Sequence, residues 1–176
     1  MQLTAWIYWK KHFFVLKFLL IFLALFSATF HIYGCAAKGR PNMDPVDISL
    51  LDKWSGDYPV SELARLPAGQ QDMAAGYIND TDTFVPIWRA FMPTEILPAV
   101  DFSKNIVVFT RNVQFYNRTS ILKITLQEGN AEIIAMETMS AIPIEEKVAM
   151  AMAVIPRKGI ITIQSGAEKI KVTPRN

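Results

Sequence analysis

The sequence predicts an α+β domain, a mostly antiparallel sheet of six or seven strands with one main covering helix, placed after an N-terminal export signal. Three observations carry that expectation. Phe84, Ile87, Trp88 and Phe91 recur at helical spacing and give one apolar face. Ile106-Val107-Val108-Phe109 and Val148 to Val154 are apolar runs of strand length. Leu122 to Thr138 and Ile160 to Val172 each read as two strands around a turn, with polar and apolar residues alternating in the first of them. The chain has 176 residues, 51% hydrophobic and 19% charged, a size for one domain and a composition too apolar for a disordered chain.

The apolar excess begins at the N-terminus. Phe18 to Phe26 is an unbroken apolar run, preceded by Lys10, Lys11 and Lys17 with no acidic residue, which is the layout of an export signal. The run is short of the roughly 20 residues that a helix needs to cross a bilayer. Ile32-Tyr33-Gly34-Cys35 follows and is similar to the lipobox of bacterial lipoproteins, in which the cysteine becomes the lipidated N-terminus. Three outcomes stay open: a leader 1–34 removed with lipidation of Cys35, an uncleaved anchor reaching to Gly34, or a stray thiol at Cys35 in an ordinary leader. With lipid attached the chain is held on the membrane. Ala36, a residue other than aspartate after the cysteine, implies by the same likeness the outer membrane, facing the periplasm.

Residues 35–48 carry two prolines, a glycine and alternating charges without a period, and read as a tether. The domain then spans 49–174. Trp54, Tyr58, Leu63 and Leu66 are core anchors in a stretch that Gly56, Pro59 and Pro67 break up, so one short strand or helical turn is expected near Val60 to Leu66. Ala74 to Ile78 is a short strand. Asn79 to Thr83 supplies N-cap candidates for the helix, Pro86 falls in its first turn and Pro93 ends it. Ile106 to Phe109 is a central strand buried on both faces. In the first hairpin Leu122, Ile124 and Leu126 form the inward set. In Val148 to Val154 large and small side chains alternate, and the small side is expected to admit the helix close to the sheet. A last hairpin closes the fold, its lysines guarding an edge.

The leader alone makes the chain basic. Three of the 18 Lys and Arg belong to it, leaving 15 against 16 Asp and Glu. A near-neutral exported part without basic clusters speaks against nucleic acid. His12, His31 and Cys35 are the only histidines and cysteine, and all lie in the first 35 residues. The exported part therefore lacks the imidazole and free thiol of Ser-His-Asp, Cys-His and His or Cys zinc sites. Asp80 and Asp82 read as capping residues, without the glycine and distal glutamate of a calcium loop. Glu145-Glu146 reads as an exposed turn. No phosphate-binding glycine loop appears, and no cofactor or metal is expected. Arg111, Phe115, Tyr116 and Arg118 bring two arginines and two aromatics into one expected loop, residue types enriched at recognition surfaces. Trp54, Tyr58 and Trp88 are the alternative, lining a cleft for a small ligand or peptide.

Ile96 to Val108, with its L-P-x-V-D-F-S-K loop between the helix and the apolar strand, resembles the C-terminal domain of PrcB-like proteins, bacterial lipoproteins associated with a surface protease complex. The likeness spans residues 76 to 160. It implies an accessory subunit of an envelope protein assembly. The glycine-rich turn of that family is replaced here by Val113 to Thr119, which holds no glycine. Together these features read as a non-catalytic, membrane-anchored lipoprotein whose exported domain binds another envelope protein. The alternative reading is a periplasmic small-ligand or peptide-binding domain.

Overall fold

The computed structural model describes residues 44–112, 118–138 and 146–174. The leader, Cys35, Phe115 and Tyr116 lie outside the described residues. Residues Met43–Asn176 make one compact unit, whose described residues form nine strands: β1 (Val46–Ile48), β2 (Asp52–Pro59), β3 (Ala75–Ile78), β4 (Asn105–Arg111), β5 (Thr119–Gln127), β6 (Asn130–Glu137), β7 (Lys147–Pro156), β8 (Thr162–Ser165) and β9 (Glu168–Lys171). A 3-10 helix (Val60–Arg65) follows β2, and an α-helix, α1 (Thr81–Phe91), follows β3. The described chain is mostly β, and its strands form two sheets where the sequence suggested one. The first sheet has the order β2-β7-β4-β3 and is antiparallel throughout. The second has the order β1-β5-β6-β8-β9, with β8 parallel to β6.

The first sheet is the middle layer because its inner strands β4 and β7 are apolar on both faces. On β4, Val107 and Phe109 join Met150, Met152 and Val154 of β7 in a core with Phe84, Ile87, Trp88 and Phe91 of α1. The alternate residues Ile106 and Val108, with Ala151, Ala153 and Ile155, face Ile121, Ile124, Ala131, Ile133 and Ile163 of the second sheet. The helix thus packs on the methionine side of β7, and the alanine side meets the second sheet, the reverse of the expectation. Thioether side chains fill the irregular gap under a helix. Alanines let two sheets close together while the isoleucines of the other sheet fill the space.

α1 begins as its sequence dictates. Asp80 is the N-cap: its carboxylate accepts from Thr83 N at 2.7 Å and from Thr83 Oγ1 at 2.9 Å. The loop after the helix is also built as its residues suggest, since the Asp101 carboxylate accepts from Ser103 N (3.0 Å) and Phe102 is buried. Bonds donated by the Ser103 hydroxyl and by its N–H, with Lys104 nearby, hold the Asp101 carboxyl below its ordinary pKa, the Ser103 hydroxyl contributing most. Gly76 is required by packing, because a Cβ there would collide with Phe109 and with Oε1 of Gln70.

Two further expectations change. Val46–Ile48, counted in the tether, is a strand of the domain paired with Ile124 to Leu126. In the first hairpin a register shift between Ile121 and Lys123 breaks the alternation, so Ile121 and Ile124 are buried and Leu122 is 53% exposed.

Candidate functional site

Of the four residues singled out for recognition, the structure describes two, and it gives them opposite roles. Arg111 is not at a surface. It is the last residue of β4, 3% exposed, with Nε donating to the carbonyl of Met73 at 2.7 Å and Nη2 donating to that of Gln71. Its backbone N–H donates to the carbonyl of Ala74 at 2.7 Å. The guanidinium therefore staples the segment before β3 onto β4, and burial lowers its pKa below the ordinary arginine value against the pull of Asp72, Glu168 and Tyr58. A side chain occupied this way is a structural clamp, and its assignment to a partner surface is corrected here.

Arg118 is exposed and sits at the rim of a groove of about 450 Å³ where β2 of the first sheet meets the ends of β5 and β6 in the second. Ser55, Asp57, Thr119, Met136 and Thr138 line the rest. The rim is held rigidly by the hairpin ladder. Arg118 N donates to Thr138 Oγ1 at 3.2 Å, and Thr138 N donates to the Arg118 carbonyl at 3.1 Å. Thr119 is 2% exposed, and its hydroxyl has no hydrogen-bond partner among the described residues. Opposite, Asp57 is paired with Lys147 of β7 at 2.7 Å. The groove thus offers an exposed guanidinium, a carboxylate engaged with an ammonium, and several hydroxyls, a set suited to polar side chains or backbone of a bound chain.

The aromatic cleft of the alternative reading is absent. Tyr58 and Trp88 are buried, and Trp54 packs edge-on to Trp88 with ring centroids 4.9 Å apart. All three belong to the core under α1. Burial and the nearby Glu62 push the Tyr58 hydroxyl up to about 12, while it donates to the Glu62 carbonyl at 3.0 Å. Sequence reasoning missed Asp57, Thr119 and Lys147. Asp57 and Lys147 meet only because β2 pairs with the distant β7, and Thr119 comes near them only from the other sheet, so nothing local marks them as neighbours.

Among the described residues no helix is long and apolar enough to cross a membrane, and no three His, Cys, Asp or Glu side chains are grouped to hold a metal ion. Compared with family models, curated proteins and solved structures, the chain matches none.

Proposed function

We propose that the chain is a non-catalytic lipoprotein, anchored to the bacterial cell envelope through lipid on Cys35, whose exported domain binds another envelope protein as an accessory subunit. The anchor places it at the outer membrane, facing the periplasm. The observation that carries the binding role is the Arg118 groove, where the backbone of an exposed arginine is bonded to Thr138 beside the buried Thr119 hydroxyl, which has no partner among the described residues. Arginine is, with tryptophan and tyrosine, one of the residue types enriched among those that anchor protein partners. The likeness of Ile96 to Val108 to PrcB-like lipoproteins supports the same reading, as does the export leader.

The test uses the full chain, solubilised from envelopes in detergent, as bait beside an Arg118→Glu variant. Charge reversal at an exposed position leaves the fold intact, so a partner held by the parent and released by the variant is the expected result. Equal recovery by both, or no recurring partner, defeats the proposal. Mass spectrometry of the mature N-terminus checks the anchor separately, expecting acyl chains on Cys35 and no residue before it.

A further inference from the structure

We propose that the open edge of β6, from Ile133 to Glu137, takes up an extended basic segment of another protein by strand addition. The site is separate from the Arg118 groove and shares no lining residue with it. β6 lies inside the second sheet, between β5 and β8, but β8 accompanies it only from Asn130 to Glu132, whereas β5 runs with it as far as Glu137. Beyond Glu132 one side of β6 therefore has no partner strand among the described residues.

Two bonds fix which backbone groups face that side. The Gly129 carbonyl accepts from Thr162 N at 3.0 Å, toward β8, and Thr138 N donates to the Arg118 carbonyl at 3.1 Å, toward β5. Successive residues of a strand direct their backbone groups to opposite edges, so Ala135 and Glu137 direct theirs away from β5. A groove of about 550 Å³ lies along that edge: Ile133, Ala135 and Glu137 line it with Ser165 and Gly166 at the end of β8, and none of the described residues of β5 does. From Ile133 to Glu137 the edge runs about 13 Å, the length of a short strand.

The charge of the groove names its occupant. Glu132 and Glu137 line it, and Glu137 accepts from the neutral Asn112 amide at 3.3 Å, which leaves its charge unbalanced there. The cation among the described lining residues is Arg111, whose guanidinium is spent on the carbonyls of Gln71 and Met73. A lysine or arginine on the added strand meets that negative balance. The edge is also unguarded. Native sheets blunt their open edges with charge or proline: β9 has Lys169 and Lys171, and β2 has Asp52, Lys53 and Pro59, but Ile133 to Met136 holds neither. The slot is formed in advance, since the Ser165 hydroxyl lies 3.1 Å from that of Thr110 and joins the end of β8 to β4. A site already in place costs little ordering on binding.

The experiment follows the backbone amides of Ala135 and Glu137 by chemical shift and hydrogen exchange, in the full, ¹⁵N-labelled chain in nonionic micelles. In the free protein they should exchange fast, and those of Ile134 and Met136, turned toward β5, slowly. The probe is the peptide acetyl-Thr-Val-Lys-Val-Thr-amide. It should shift both amides saturably and slow their exchange about tenfold or more at saturation. Glutamate in place of its lysine should weaken binding about threefold or more, and N-methylation of its three central amides should abolish it. Ala135→Pro removes an N–H that the domain leaves unused, so this variant should melt near the parent and lose the peptide, read from the Glu137 amide. Slow exchange at Ala135 in the free protein, or a clear loss of melting temperature in Ala135→Pro, means that the edge is already occupied within the domain and overturns the inference. Indifference of both amides to the peptide, equal binding of the N-methylated or the glutamate peptide, or retained affinity in Ala135→Pro overturns it too. So does slowing that rises with protein concentration alone, which assigns the edge to a second copy.

Discussion

Exchanging two neighbouring residues of β7 tests the layered arrangement without changing composition. Met152 and Ala151 are both fully buried, but Met152 faces α1 beside Phe109 and Ala151 faces the second sheet. Met152→Ala deletes the side chain beyond Cβ and leaves a cavity beneath the helix, costing about 2–5 kcal/mol. Ala151→Met forces the same atoms into the tight space against Ile121 and Ile133, costing about 1–3 kcal/mol or more. The double variant carries the same atoms in total, so if only summed core volume mattered its stability would equal the parent's. The two-faced sheet instead predicts a loss of about 3–8 kcal/mol, comparable with the entire stability of a domain this size. Urea unfolding followed by near-ultraviolet circular dichroism of the tryptophans measures it, with the two single variants alongside. A double variant within about 1 kcal/mol of the parent would refute the assignment of methionines to the helix side and alanines to the sheet side.

Other outcomes follow from single contacts. Thr119→Val should raise stability by about 1 kcal/mol in a thermal melt, because it replaces a buried hydroxyl that has no partner among the described residues with a methyl group. Gly76→Ala should lower the urea midpoint, because the new methyl meets Phe109 and Gln70, and refilling the space by Gly76→Ala with Phe109→Leu should recover part of the loss. Tyr58 gives a pH dependence whose sign is fixed: its hydroxyl ionises near 10 when unfolded and at about 12 when folded. Its contribution is fully present below pH 10 and is lost as pH rises toward 12, to a total of about 2–3 kcal/mol. Tyr58→Phe should cost about 1 kcal/mol at pH 7, through the lost bond to Glu62, and should lack that alkaline decline.

What the sequence made legible was what is local. α1 declares itself by a cap, a period and a terminating proline within a short stretch, and β4 and β7 by runs too apolar to face water on either side. β1 and β2 are invisible by the same standard. Val46–Ile48 is a strand only because β5 offers it a ladder nearly eighty residues away, and β2 mixes Asp52, Lys53, Gly56 and Asp57 with Pro59, residues depleted from strands. Two arginines seven positions apart show why the candidate site was only half readable. Arg111 and Arg118 have the same chemistry, and only the fold decides that one is enclosed by the carbonyls of Gln71 and Met73 while the other reaches a rim. The shift between Ile121 and Lys123 hides equally well, since a bulge moves residues between faces while leaving the composition of the strand unchanged.

Among the described residues β2 has no ladder partner other than β7, and both hydrophobic interiors draw side chains from β7. Yet β7 lies late in the chain. A polypeptide delivered N-terminus first, whether from a ribosome or through a membrane pore, must therefore keep its aromatic and aliphatic residues unsheltered until this one segment arrives. Neither interior can be completed before β7 is delivered, and only β8 and β9 follow it among the described strands.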